Sequence, residues 1–373
     1  MSNTIAPSEV ARRTYEDGAE DLYVLDVRNE DDYDEWRVDG SVNLPIYDDL
    51  LEGEFSGLES SLTELPKDEE IAVMCVAGVT SARAVDFLRE RGFDAKSVDD
   101  GMNGWGRVHR AFTPEGVDGV VQIVRPGTGC LSYLVHDDGE AVVIDPSLYV
   151  DRYLLAAEER GLDIVAVADT HAHADHVSGA RRLSGALDVP YYLHDADAGV
   201  LDPGDPIEDG DTIEVGDRNL VVHHTPGHTH GSVSFEFGDA LLSGDTLFLR
   251  SVGRPDLEDG SEAAVREAAG ELFDSLGRVI DLTDDTVVLP GHFSDEQVRP
   301  LATRLGDISD EIDNELAGHV AAGDREAFVE TIVESLSDEP ANYNEIKRIN
   351  WGEEQPGGDA ETLELGPNNC AAN

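Results

Sequence analysis

Between Thr170 and His176 the chain reads Thr-His-Ala-His-Ala-Asp-His, which sets His171, His173 and His176 beside Asp175. Imidazole and carboxylate at this density are ligand chemistry for zinc or iron. More groups of the same kind follow: His228 in Thr225-Pro226-Gly227-His228, Asp245 in Ser243-Gly244-Asp245-Thr246, and His292 in Pro290-Gly291-His292. A second kind of chemistry is offered by Cys75, the first residue of the loop Cys75-Val76-Ala77-Gly78-Val79-Thr80. If that loop opens a helix, backbone N–H groups can point at the sulfur and the helix dipole lowers the thiol pKa. Both effects favour thiolate, or an anionic persulfide formed on it.

Such groups need elements to hold them. The histidine cluster follows the apolar run 164–168, His228 follows 220–223, Asp245 follows 240–242 and His292 follows 286–289. Every ligand candidate therefore sits just past a strand. Loops at one end of a packed sheet can converge on one ion while the strands keep the geometry. Cys75 ends the buried strand 71–75, with a second strand at 22–28. Residues 81–92 place Ala82, Val85, Phe87 and Leu88 at helical spacing, with Gly92 as the stop. Cys130 lies in an alternating strand, Gly127-Thr128-Gly129-Cys130-Leu131-Ser132-Tyr133-Leu134-Val135, and reads as a core or near-site thiol rather than a nucleophile.

The turn-rich stretch Thr113-Pro114-Glu115-Gly116 marks a boundary. The chain divides into a small α/β unit at 1–112, a linker at 113–119, a mixed α/β unit at 120–350 and a polar tail at 351–373 that is expected to be partly disordered. Residues 298–336 predict two helices broken near Ala321-Ala322-Gly323-Asp324. Cys370, near the end of the tail, receives no role.

In 373 residues there are 80 Asp and Glu against 26 Lys and Arg, a formal charge of −54, and the lysines are Lys67, Lys96 and Lys347 alone. Such a surface repels itself in dilute buffer, and at ~1 M salt the Debye length of about 3 Å removes most of that repulsion. The composition therefore predicts a protein of a high-salt cytoplasm, and nucleic acid and anionic membranes are poor partners for its field. Residues 1–20 carry no apolar targeting segment and no run approaches a membrane span, so a soluble cytoplasmic protein is expected. Three scattered cysteines make no disulfide framework, in keeping with a reducing compartment.

Asp26-Val27-Arg28, Tyr33, Gly40-Ser41-Val42-Asn43-Leu44-Pro45, the six-residue Cys75 loop and Gly101-Met102-Asn103-Gly104-Trp105 together resemble a rhodanese domain. The resemblance implies a parallel sheet with flanking helices. It also implies a catalytic Cys75 that carries sulfane sulfur, with Asp26 and Arg28 as a structural pair supporting the loop. Val76 and Ala77 depart from the basic side chains that many thiosulfate-using members place there, and Thr80 stands where many have Arg.

The ordered motifs at 171–176, 225–228, 243–246 and 290–292 resemble the metallo-β-lactamase superfamily, which implies an αββα sandwich. Gly253-Arg254-Pro255-Asp256, downstream of Asp245, is similar to the persulfide dioxygenase branch. That likeness implies one Fe(II) per chain, held by His171, His228 and Asp245, with two imidazoles and a carboxylate leaving positions open for dioxygen and a persulfide sulfur. His173, Asp175, His176 and His292 would then orient ligands or water. Arg254 would bind a substrate carboxylate or support the site through Asp256. The substrates implied are dioxygen and a low-molecular-weight thiol persulfide, and homo-oligomerisation stays open.

Two alternatives remain. A glyoxalase II-type thioester hydrolase would use His173, Asp175, His176 and His292 as further ligands of two zinc ions or a mixed zinc and iron pair, bridged by Asp245. A non-enzymatic sulfur carrier or sensor would use Cys75 to bind sulfane sulfur for a partner, with the metal merely structural. The segment 340–350, Pro-Ala-Asn-Tyr-Asn-Glu-Ile-Lys-Arg-Ile-Asn, resembles a C-terminal segment of bacterial persulfide dioxygenase relatives.

Overall fold

The computed structural model describes residues 2–16, 18–19, 21–200, 205–293, 301–311, 315–336, 342–358, 360–366 and 371–372. Cys370 lies outside them. The N-terminal unit is a five-stranded sheet in the order Thr4–Ile5, Ala95–Val98, Glu70–Met74, Leu22–Asp26, Val42–Asn43, with every neighbouring pair parallel. Parallel strands need covering on both faces. One face packs Leu25, Ile71 and Val73 against Leu50, Leu58, Val85 and Leu88, and the other packs Val24, Ala72 and Met74 against Val10, Met102 and Trp105. The helix after Cys75 runs Val79–Glu90, two residues earlier at its start than its apolar periodicity suggests.

The second unit is a sandwich of a seven-stranded and a six-stranded sheet. In the first, Arg110–Phe112, Val120–Val124, Leu131–Asp137 and Glu140–Ile144 are antiparallel neighbours, and Asp163–Ala168, Tyr191–Leu193 and Asp205–Pro206 continue it in parallel. The second runs Thr212–Val215, Arg218–His224, Val233–Phe237, Ala240–Gly244, Val287–Pro290, Thr303–Arg304, with only Ala240–Gly244 and Val287–Pro290 parallel.

Strand alternation assigns the layers. Leu131, Tyr133 and Val135 meet Val222, Phe235, Leu242 and Leu289 between the sheets. Leu134 and Val143 turn outward onto the helices Val150–Glu158 and Ala180–Leu187. Leu241 and Val288 turn outward onto the helix Glu262–Ile280 and the helices beyond it. The architecture is the α/β combination expected, a parallel-sheet unit followed by an αββα sandwich. Arg110–Phe112, at the end of the expected first unit, is the edge strand of the seven-stranded sheet.

Over 298–336 the described residues form three helices where the pattern suggested two: Leu305–Glu311, Glu315–Ala322 and Arg325–Glu334. The break at Gly323 is as expected, with a φ of +70°, and Asp324 caps the last helix through Ala327 N at 3.1 Å. The tail is less free than its composition suggests. Ala360–Leu363 is a helical turn, Glu364 is buried, and Ala371–Ala372 pair with Val252–Gly253. Arg125 and Glu364 form an ion pair at 2.8 Å with both side chains fully buried, and Arg125 also donates to Gly106 O, tying tail, sandwich and N-terminal unit together. Among the described residues, no helix is long and apolar enough to cross a membrane.

Candidate metal centre

Five of the relevant loops leave the C-terminal ends of strands. Asp163–Ala168 runs parallel to Glu140–Ile144, so Asp145 and the stretch from Asp169 to His176 emerge side by side, with Asp145 N donating to Ala168 O at 3.0 Å. From the facing sheet come His228 after Arg218–His224, Asp245 directly after Ala240–Gly244, and His292 after Val287–Pro290. Parallel pairing of the last two strands, with Gly291 N donating to Gly244 O at 2.8 Å, sets His292 beside Asp245. Close approach needs small residues here. A Cβ on Gly253 would lie 1.9 Å from Asp245 O and 3.0 Å from His228 Nδ1.

Three donor atoms converge. His171 Nε2 lies 3.8 Å from Asp245 Oδ2, His228 Nε2 lies 3.5 Å from it, and all three atoms lie within 4.8 Å of one another. Each is buried and, among the described residues, lacks a hydrogen-bond partner. An unpartnered buried polar atom is costly, and three aimed at one point fit a metal ion.

Their other atoms are all engaged. Thr170 Oγ1 donates to Asp145 Oδ2 at 2.9 Å and so can accept from His171 Nδ1, also at 2.9 Å. His228 Nδ1 donates to Arg254 O at 2.9 Å, and His292 Nδ1 donates to Asp245 Oδ1 at 2.7 Å. These bonds select the tautomers that leave both Nε2 lone pairs facing the cation position. Burial, followed by the neighbouring His173 and His228, pushes the His171 pKa well below its ordinary value, which keeps the ring neutral as a ligand must be.

The remaining histidines form two separate groups. His173 turns away to Asp145 Oδ1 at 3.1 Å and Asp169 Oδ1 at 3.8 Å. Burial opposes its charge, but these carboxylates raise its pKa. Asp175, His176 and His292 gather with Cys130: His292 Nε2 donates to Asp175 Oδ2 at 2.9 Å and Cys130 Sγ donates to the same oxygen at 3.1 Å. Against the cost of burial, Asp245 and Asp175 hold the His292 pKa well above the usual range, and each ring nitrogen faces a carboxylate oxygen. His176 Nε2 is buried and has no hydrogen-bond partner among the described residues.

Arg254 is fully buried and forms a two-bond pair with Asp256, at 2.7 and 2.9 Å. Cys75 lies apart from the metal cluster, in the N-terminal unit, buried at the C-terminal end of Glu70–Met74. Burial raises its pKa, but the hydrogen bond with Ser81 (Sγ to Oγ, 3.2 Å) and the nearby Thr80 hydroxyl and loop amides outweigh that and lower it overall. The loop is propped by Met102 N on Cys75 O at 2.8 Å. Asp26 and Arg28 are a buried pair at 2.7 Å whose backbone oxygens both accept from Asn43 Nδ2, a supporting role.

The profile of the metallo-beta-lactamase superfamily matches residues 125–292 and that of the rhodanese-like domain matches 6–107. An uncharacterized protein of Aquifex aeolicus is 34% identical over 203 residues, 48% of this chain and 92% of its own length. The chain belongs to the metallo-beta-lactamase superfamily and carries a rhodanese-like domain.

Within the superfamily, a hydroxyacylglutathione hydrolase of Rhodospirillum rubrum is 36% identical over 157 residues, 41% of this chain and 57% of the hydrolase. Two solved structures are similar at 28% identity. A metallo-beta-lactamase of Staphylococcus aureus has a TM-score of 0.56 over 64% of this chain and 74% of that one. ETHE1 of Myxococcus xanthus has a TM-score of 0.53 over 65% of this chain and 98% of that one.

Asp145, Asp169 and Asn350 are site residues that the motif reading passed over. Asp145 and Asp169 had a signal, since each directly follows an apolar strand as the other ligand candidates do.

Proposed function

We propose that the protein is a non-haem iron persulfide dioxygenase working with a rhodanese sulfurtransferase domain. The net reaction is RSSH + O2 + H2O → RSH + H2SO3, in which the sulfane sulfur is oxidised and dioxygen reduced. The observation that supports it most is the isolation of His171, His228 and Asp245. Among the described residues they offer three unpartnered donors to one ion, while His173 Nε2 is spent on Asp145, and His292 on Asp175 and Asp245. Two imidazoles and one carboxylate with open positions suit Fe(II), which when bound would supply the redox chemistry that dioxygen and a persulfide sulfur require.

The chain's own residues perform the rest. Thr170 and Arg254 O hold the two histidine rings in the ligand tautomer. His292 Nδ1, bonded to Asp245 Oδ1, keeps that carboxylate turned so that Oδ2 faces the ion. Arg254 and Asp256 brace the turn that carries the Arg254 carbonyl. In the N-terminal unit, Ser81, Thr80 and the loop amides stabilise a thiolate or persulfide on Cys75. Cys75 would pass sulfane sulfur to or from the small thiol. The surrounding loop has apolar Val76 and Val79 exposed, which suits a thiol-bound persulfide better than thiosulfate.

A dinuclear thioester hydrolase is the second reading. It draws on the Cys130, Asp175, His176 and His292 cluster and on the hydrolase relative. Metal analysis of protein purified without added metal, with an oxygen electrode trace on glutathione persulfide, separates the two. One iron per chain, oxygen uptake and sulfite release are expected. Two zinc ions and S-lactoylglutathione hydrolysis without oxygen uptake would overturn the dioxygenase.

A further inference from the structure

The helix Tyr343–Asn350, carried by the C-terminal sequence pattern, has no part in the chemistry above, yet its last residue reaches the metal loop. Asn350 is buried, and its Nδ2 donates to both His173 O and His176 O at 2.8 Å. Its Oδ1 accepts from Ser178 N at 2.9 Å. One carboxamide thus satisfies three backbone groups of a loop that has no regular structure to satisfy them.

Glu364 adds a second hold from the tail, accepting from Val177 N at 3.1 Å. Val177 packs on Ile346 and Ile349 of the same helix, and Arg181 donates to Ile349 O at 3.2 Å. The loop's ligand end is fixed independently, with Ala172 N on Asp197 Oδ2 at 2.7 Å and Thr170 N on Asp145. The stretch from His173 to Ser178 is therefore held by the C-terminal helix and tail, from residues more than 170 positions away in sequence.

We propose that Asn350 is a positioning residue for the metal centre. By closing the backbone between His173 and Ser178 it fixes Asp175, which holds His292 against Asp245 Oδ1, and so sets the affinity for the ion. This rests on the three-donor site described above. With the two carbonyls released, the loop can relax, and each metal-binding event must order it again.

The test uses the full chain, metal-free, with Co(II) as the probe titrated against a competing chelator. Asn350→Asp keeps the size and the acceptor for Ser178 N but cannot donate to the two carbonyls, and Asn350→Ala removes all three bonds. Asn344→Asp, exposed on the same helix, is the control. Both Asn350 variants are expected to bind Co(II) about 10–100-fold more weakly, and the control to match the parent.

A purely structural role would lower the melting temperatures of metal-free and metal-loaded protein alike, whereas a positioning role shrinks the rise that Co(II) produces. If Asn350→Asp does not fold, Asn350→Gln, with the carboxamide on a longer stem, serves in its place. Folded variants that bind Co(II) as tightly as the parent, with the same rise in melting temperature, would overturn the proposal. If the parent takes up no Co(II), or His171→Ala binds it as well as the parent does, the three-donor site itself fails and the proposal with it.

Discussion

Thr170 is the residue through which the design of the centre can be measured. Its hydroxyl donates to Asp145 Oδ2 at 2.9 Å and accepts from His171 Nδ1 at 2.9 Å, with all three side chains buried. Thr170→Val replaces the hydroxyl with a methyl group of nearly the same size, so packing against Gly244 is retained and only polarity changes. A hydrogen bond to a charged acceptor is worth about 1.5–3 kcal/mol, and a stranded buried donor costs about 1–3 kcal/mol.

Removing the hydroxyl does both, and the metal-free protein should lose about 2.5–6 kcal/mol. For a unit of this size that is about 5–24 °C in melting temperature. The His171 ring loses the partner that fixes its tautomer, so metal affinity should fall about 10–100-fold. Urea unfolding of the metal-free protein and Co(II) competition measure the two effects. A variant as stable as the parent and equally tight for Co(II) would refute the argument that Asp145 and Thr170 hold His171.

Other outcomes follow from the same contacts. Glu364→Ala leaves Arg125 charged and buried and should cost about 3–5 kcal/mol by urea unfolding, while Arg125→Met combined with Glu364→Leu should cost much less; equal losses would refute pairing as the cause. Burial, then Arg125, pushes the His109 pKa well below its ordinary value. Below pH ~6.5 the unfolded chain takes up a proton there that the folded chain does not, so stability should fall with pH by up to about 1.4 kcal/mol per unit. His109→Gln should flatten that slope between pH 7 and 5.5 in urea titrations. With a charge of −54, the melting temperature should climb steeply from 0.1 to ~1 M KCl as the Debye length falls from about 10 to about 3 Å. A flat response would count against adaptation to high salt.

The candidate site was legible because its donors sit in short motifs just past apolar runs, and strand ends are where a packed sheet can present side chains. The two layers of the sandwich were not legible from periodicity. Strands such as Val120–Val124 are buried on both faces and read as continuous apolar runs. They came from the resemblance. Nor does order in sequence reveal how the seven histidine and aspartate candidates divide. His173 sits two residues from His171 yet faces Asp145, because parallel pairing of Glu140–Ile144 with Asp163–Ala168 sets a carboxylate beside it.

The tail's hold on the interior was not legible for a related reason. Glu364 looks like any of the many exposed acids until Arg125, 239 residues earlier, neutralises it in the interior. The Asn350 contacts are equally remote, and nothing local marks an asparagine as a clamp.

The cradle for the ion is shared between two sheets: His171 comes from one, His228 and Asp245 from the other. Its width is therefore governed by the side chains that keep the sheets apart, Tyr133, Phe235 and Leu242 among them. A methylene gained or lost in that filling would act on the bite of the ligand set as a shim acts on a vice. Changes far from the ion thus give a lineage a way to retune which metal it prefers without altering a single donor.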